Sequence, residues 1–424
     1  MRFGDRYLEK QALKFNFSFD KPDKSLGLCV IIPCYDEDKL IETLDSLWKC
    51  KSPVHSAEVI IVVNSSVSEE EEVLERNLST IEDFKGWEKQ HRDDCLKFFL
   101  IHTPNLPDKH AGPGLARKIG MDLAISRFNQ LNHPDGILIS FDADCTCTEN
   151  YLVEIEKAFT ENENLDCGIV NFEHPVSGNE YPDEVYKAII QYELHLRYHI
   201  EFLRKIGYPY AFHTLGSCFA VKATSYIRQG GMNRRKAGED FYFLHKLFAA
   251  GKTIEINNAT VFPSPRPSQR VVFGTGPVIQ KLSADSGSIL KTYHPKAYLD
   301  LKQLLDLIPR LFEHHDPNIF SRLPESIRDF LIQNDVIEKV KEIKQNTASL
   351  SSFVKRFYTW FAPLMVVRFL NYVHQKIYPM VHVVEAATVL LTLLNQVNLQ
   401  NQSGLELLKT FRNIQKSNKQ VICL

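Results

Sequence analysis

Two acid pairs carry the chemistry this chain is equipped for. Asp142 and Asp144 flank an alanine in "GILISFDADCTCTEN", and Glu239 and Asp240 are adjacent in "GGMNRRKAGEDFYFLHKL". Carboxylates that converge on one point repel each other unless a cation lies between them. Hard oxygen ligands select Mg2+ or Mn2+, ions that commonly bridge to substrate phosphates rather than sitting in a closed protein cage. A carboxylate about 3 Å from a hydroxyl contributes a factor of roughly 10² to 10⁴ as a general base. Each pair also has a plain reading, a strand end for the first and capping of a helix N-terminus for the second.

Cys145 and Cys147 share the first stretch and offer a soft-metal alternative. In an extended chain they point away from the carboxylates, because residues two apart share a face. A structural zinc site needs four ligands, and no second cysteine pair of suitable spacing occurs. The thiols therefore read as small, mostly buried residues.

Other segments supply what a phosphate-bearing ligand needs. After "LCVIIPCY", Pro33 and Tyr35 lead into Asp36, Glu37 and Asp38 and then an amphipathic helix. Gly112, Pro113 and Gly114 open a helix whose first turns carry Arg117 and Lys118, a glycine-rich start with amides and cations suited to a diphosphate. Arg266 and Arg270 in "PSPRPSQR", before "FGTG", either grip a phosphate or an anionic acceptor or are surface arginines on a proline-rich loop.

The elements that must position these residues alternate between short apolar runs and helical patterns. Strands are expected at Leu28 to Tyr35, Glu58 to Asn64, Leu96 to His102, Gly136 to Asp142 and Cys167 to Glu173. Runs this apolar suit strands buried on both faces. The fold class is α/β, a mostly parallel mixed sheet flanked by helices, with a C-terminal all-helical region. Ligands of such sheets bind at the carboxyl ends of the strands, where both Asp36 and Asp142 fall. Ser68 and Glu71 have capping-box spacing, and Glu69 to Glu72 read as a solvated helix start. Pro182 to Ile206 reads as one long surface helix. From about Leu290 the pattern is helical, with breaks at Pro309, Pro317, Pro324, Pro363 and Pro379. The expected organisation is an N-terminal segment over 1–27, a catalytic domain over 28–289 and a helical region over 290–424.

Bulk properties narrow the class. Fifty basic against 52 acidic residues, a formal charge of −2, provide no global field for nucleic acid. Nine scattered cysteines and an N-terminus without an apolar signal run point to a reducing cytoplasm. The most apolar stretch, "YPMVHVVEAATVLLTLLNQ", is interrupted by His382 and Glu385, so no transmembrane segment is expected. Peripheral contact with the inner face of the membrane stays open.

Taken in order, "VIIPCYDED", "FDADC" and "GGMNRRKAGEDFYFLHKL" resemble the first nucleotide-binding strand, the Asp-x-Asp motif and the acceptor-side segment of family-2 glycosyltransferases of the GT-A fold. The resemblance spans about Leu28 to Pro277. It implies a metal-dependent hexosyltransferase-type enzyme that takes a nucleoside-diphosphate sugar and a hydroxyl acceptor, with Mn2+ or Mg2+ as cofactor. Asp144 would bind the cation, and Asp142 would assist through ribose or metal. Asp240 would be the general base, with Glu239 as the competing candidate. Pro33, Tyr35 and Asp36 would line the nucleoside pocket, and Arg117 or Lys118 would stand near the diphosphate. A single candidate base implies inversion.

The chain departs from the family in three places. Asn64 stands where the second strand usually ends in an aspartate, Lys118 replaces an asparagine, and Cys218 follows Gly216 and Ser217 where another small or polar residue is common. Two other readings stand beside the transferase: a non-catalytic nucleotide-sugar-binding or partner-binding protein on a decayed scaffold, and a sugar-phosphate nucleotidyltransferase. The latter should carry a glycine-rich, lysine-containing signature after the first strand, which "IIPCYDEDK" lacks.

Overall fold

The computed structural model describes residues 1–13, 17, 19–270, 274–285, 287–313, 318–395, 402–417 and 421–422. They divide into two units. The first comprises Met1–Gly178, Thr214–Pro277 and Gln415–Val421, and the second Asn179–His213, Val278–Ile414 and Ile422–Leu424. This differs from the linear partition, because the long helix after Gly178 groups with the helical unit.

The first unit is built on β1 (Leu26–Cys34), β2 (Ser56–Ser66), β3 (Leu96–Leu106), β4 (Ile137–Ser140), β5 (Cys145–Cys147), β6 (Leu165–Phe172), β7 (Phe219–Lys222) and β8 (Lys252–Pro263). Their order is β8-β6-β7-β4-β1-β2-β3, with β5 paired to β8. β1 runs parallel to both β2 and β4, β2 to β3, and β6 to β8. β7 is antiparallel to β4 and to β6, so the sheet is mixed. Leu28, Val30 and Ile32 alternate with Cys29 and Ile31 along β1, and all five are fully buried. That is why this strand reads as a continuous apolar run rather than an alternating one.

The helices up to Ala250, in chain order, are α1 (Asp5–Lys10), α2 (Leu40–Trp48), α3 (Glu71–Glu88), α4 (Pro113–Leu131), α5 (Tyr151–Thr160), α6 (Asp183–Lys205), α7 (Ala223–Arg228) and α8 (Glu239–Ala250). All but α6 belong to the first unit. α3 begins without the expected capping box: the Ser68 hydroxyl donates to Asp108 Oδ1 at 2.6 Å, and Glu69 accepts from the Ser66 amide at 3.1 Å. α4 lies along β1 and β2. An added Cβ at its Gly120 would come within 2.6 Å of the Ile31 side chain, so glycine sets that close approach.

In the second unit α6 is a buried helix and not a surface one. Glu193 is wholly inaccessible and accepts from Arg197 Nε at 2.7 Å and from Arg412 Nε and Nη2 at 2.8 and 2.7 Å. Buried carboxylates persist when they are paired in this way. The breaks expected at Pro324 and Pro363 are helix starts, with Pro363 in the first turn of Pro363–Lys376, where its missing N–H costs nothing. Pro379 follows that helix. Pro309 instead lies inside Pro295–Glu313, and Pro317 lies outside the described residues. Among the described residues no helix is long and apolar enough to cross a membrane.

Candidate functional site

Arg117 of α4 joins the chain just beyond β4 to the start of α8. β4 stops at Ser140, two residues earlier than the apolar run suggests, and the chain then turns: the Cys145 amide donates to Asp142 O at 3.2 Å. The expectation of an extended chain, with both aspartates on one side and both cysteines on the other, fails for that reason. The turn is held to α2 by the Thr43 hydroxyl, which donates to Ala143 O at 2.8 Å.

Arg117 organises one half of the site. It is 4% exposed, and its guanidinium donates to Glu239 through Nη1, to Asp142 through Nη2 and to Ser140 Oγ through Nε, the last at 3.0 Å. Burial opposes its charge, but Asp142, Glu239 and Asp240 more than offset that, so the guanidinium is held more firmly protonated than usual. Two glycines make room for this. An added Cβ at Gly216 would lie 2.4 Å from Arg117 Nη2, and one at Gly114 would lie 2.3 Å from the Arg235 carbonyl and 3.0 Å from Glu239. The Gly112 to Gly114 turn is thus packed against the Arg235 to Glu239 segment, and close packing accounts for its glycines.

Lys118 goes elsewhere. Its ammonium donates to the Tyr7 hydroxyl at 2.9 Å and lies 3.0 Å from Asp122, in a buried cluster completed by Tyr226. Its expected place beside a diphosphate is corrected accordingly, since these partners neutralise the charge inside the protein.

The other half of the site centres on Glu37, an acid to which the sequence alone assigns no role. Only 3% exposed, Glu37 accepts from Arg266 at 2.6 and 3.1 Å and from Arg270 at 3.2 Å. Arg266 also lies 3.2 Å from Asp38 and 3.5 Å from Asp144, while Arg270 donates to the carbonyls of Tyr35 and Asp36 at 2.7 and 2.9 Å. The arginine doublet therefore serves this edge rather than open solvent. Burial pushes the Glu37 carboxyl up to about 7 against the pull of Arg266. Asp144, a quarter of whose side chain is exposed, is likewise pushed to about 7 by burial and by the charges of Glu37 and Asp142, with Arg266 opposing. The signal for Glu37 was its position inside "DED" directly after β1.

Tyr35 and Asp36 are fixed from the neighbouring turn and helix. The Tyr35 hydroxyl donates to Glu69 at 2.9 Å, so Glu69 is a structural partner rather than a solvated helix-start residue. Asp36 has a left-handed φ of 52°, its amide donates to Asn77 at 3.0 Å, and its carboxylate pairs with Arg76. A strained non-glycine backbone held by three partners is costly unless the surroundings over-determine it. Pro33 is half-buried at the end of β1. Asn64, at the end of β2, is 1% exposed, and among the described residues neither its amide nitrogen nor its side-chain oxygen has a hydrogen-bond partner; the same holds for the Ser65 hydroxyl. Buried polar atoms left unpaired are rare enough to call for a ligand or a bound water.

Asp240 is half-buried at the first turn of α8, and its carboxyl is pushed up to about 7 by burial and by Glu239, with Arg117 opposing. Glu239 is buried against Arg117 and raised by burial.

Glu37 and Asp144 are the carboxylates that could hold a divalent cation here. A single guanidinium nitrogen of Arg266 stands within 2.6 Å of Glu37 and 3.5 Å of Asp144, so positive charge already sits between two carboxylates. Among the described residues no three His, Cys, Asp or Glu side chains gather into a metal cage. One or two carboxylates completed by phosphate oxygens and water is the usual arrangement for Mg2+.

No family model and no curated protein matches the chain. Among solved structures it is similar to S. aureus TarS 1-349 in complex with UDP-GlcNAc, with 14% identity and a TM-score of 0.39 over 79% of this chain and 92% of that one. It is also similar to the mannosyltransferase PcManGT from Pyrobaculum calidifontis in complex with GDP-Man and Mn2+, with 13% identity and a TM-score of 0.32 over 98% and 92%.

Proposed function

We propose that the chain is a metal-dependent glycosyltransferase that moves a hexose-type sugar from a nucleoside-diphosphate sugar to a hydroxyl acceptor with inversion. One observation carries the reading: Arg117 bonds Asp142 and Glu239 at once, so two acid motifs 97 residues apart in the chain form a single site. A nucleoside would lie along Pro33, Tyr35 and Asp36, with the unpaired Asn64 amide able to donate to and accept from a base.

Asp144 and Glu37 would hold the cation, with Asp142 beside them. When bound, it would neutralise the charge that develops on the departing diphosphate. Arg266 and Arg270, freed from Glu37, would add charge-assisted hydrogen bonds to the phosphate oxygens. Asp240 would take the proton of the attacking hydroxyl. A carboxyl near 7 is well matched to that task, whereas Glu239 is committed to Arg117 and keeps α8 in register with Asp142.

The test is a thermal-shift panel of nucleoside diphosphates and their sugars, with and without Mn2+, on the wild type and Asp144→Ala. Metal-dependent stabilisation by one nucleotide, lost in the variant, is expected; no stabilisation by any nucleotide refutes the reading. Binding without turnover would instead favour the non-catalytic scaffold. A β-linked product from an α-linked donor supports inversion, and an α-linked product sinks it.

A further inference from the structure

We propose that Cys50 and Cys147 form a thiol–disulfide exchange site, in which Cys50 attacks a low-molecular-weight disulfide and Cys147 resolves the product into an internal disulfide. The inference is independent of the transferase reading. Cys50 follows α2, and Cys147 ends β5, three residues beyond Asp144. Their sulfurs stand 3.7 Å apart and both residues are half-buried, so the pair keeps partial access to a small oxidant and is short of the ~2.0 Å of a bond by little. The surroundings of the pair are polar: Ser46 Oγ lies 3.8 Å from the Cys147 sulfur, and the Cys50 thiol lies 3.5 and 3.9 Å from the Ser46 and Thr148 carbonyls that accept from it.

The two thiols are not equivalent. The hydrogen bond shared with the Cys147 thiol, with the Leu152 and Tyr151 amides at the start of α5 acting in the same direction, favours the Cys50 thiolate over the opposition of burial. A helix N-terminus acts in the same sense on a thiol. Cys147 is pushed the other way by its bond to Cys50 and by burial. A thiolate-prone cysteine with partial access beside a second cysteine is the arrangement of redox-responsive pairs.

The exchange balances in two steps. The Cys50 thiolate attacks one sulfur of the small disulfide, forming a mixed disulfide and expelling one thiolate. Cys147 then loses its proton and attacks the Cys50 sulfur, forming the internal bond and expelling the second thiolate. The two expelled thiolates take up the two cysteine protons, so the protein is oxidised by two electrons and the small disulfide is reduced to two thiols. The new bond would tether the end of α2 to β5, beside the turn that Thr43 already holds.

The experiment equilibrates the full chain in graded ratios of reduced to oxidised glutathione, quenches with acid, alkylates the free thiols and quantifies each cysteine by peptide mass. Cys50 and Cys147 should lose alkylation together, a linked peptide lighter by two hydrogens should appear, and dithiothreitol should restore both. Cys147→Ser should accumulate glutathione on Cys50, whereas Cys50→Ser should leave Cys147 free. The exposed Cys95 reports unassisted mixed-disulfide formation. The proposal is overturned if Cys50 stays free where Cys95 is modified, or if wild-type Cys50 retains glutathione as fully as the Cys147→Ser variant. Both variants are near-isosteric, and near-UV circular dichroism matching the wild type verifies that they fold.

Discussion

Replacing Arg117 by methionine tests the link on which the site is built. Methionine keeps an unbranched side chain but removes the guanidinium that meets Asp142, Glu239 and Ser140. Breaking a buried pair by removing one partner costs about 3–5 kcal/mol, because the remaining charge is stranded. For a domain of about 250 residues each kcal/mol moves the melting temperature by roughly 2–4 °C. Arg117→Met should therefore lower the melting temperature of the first unit by roughly 6–20 °C. Arg117→Lys should fall between, since an ammonium is a single point donor and cannot span two carboxylates and a hydroxyl. It loses at least one charge-assisted bond, worth about 1.5–3 kcal/mol. Adding Glu239→Gln to Arg117→Met should recover part of the loss by removing one stranded charge. Calorimetry at pH 7 reads the shift, and hydrogen exchange assigns the transition to the first unit. A melting temperature for Arg117→Met within about 2 °C of wild type, or a double variant no more stable than the single one, would refute the reasoning.

Three further outcomes are expected. The Asp240 carboxyl is raised to about 7, so its contribution to stability is full below the ordinary carboxylate range near 4 and is lost as pH rises to 7. Asp240→Asn should therefore gain on wild type in urea midpoint between pH 4.5 and 7.5; a constant gap would contradict this. Arg266→Met should bind Mn2+ several-fold more tightly in the absence of nucleotide, read from the free-ion electron paramagnetic resonance signal, because Arg266 competes for Glu37 and Asp144; unchanged or weaker binding tells against that competition. Glu193→Gln should destabilise the second unit by about 1.5–3 kcal/mol, since it removes the carboxylate that accepts from Arg197 and Arg412, with exchange rising first in Asp183–Lys205 and Gly404–Ser417.

The core strands were readable in the sequence because burial on both faces leaves continuous apolar runs, and each expected strand appears with shifted ends. β7 is not legible in this way: its four residues, "FAVK", are too short to show a period and acquire their identity only between β4 and β6. Capping-box spacing at Ser68 misled because Asp108, forty residues away, offered the hydroxyl a closer partner. The turn after β4 was hidden for a similar reason, since an apolar Phe141 prolongs the run while its amide already bonds to Ile31 O at 3.0 Å.

What the sequence by itself determined is the inventory of acids and the elements that end beside them, because hydrophobic periodicity reports burial locally. Only the tertiary structure decided which charge meets which. Arg117 and Lys118 are chain neighbours, yet successive residues of a helix point about 100° apart. One enters the acid site and the other a cluster with Tyr7 and Asp122. Glu37 and Arg266 are 229 residues apart and bond directly. Such pairings follow from where strand ends and loops converge in space, and no spacing along the chain encodes them.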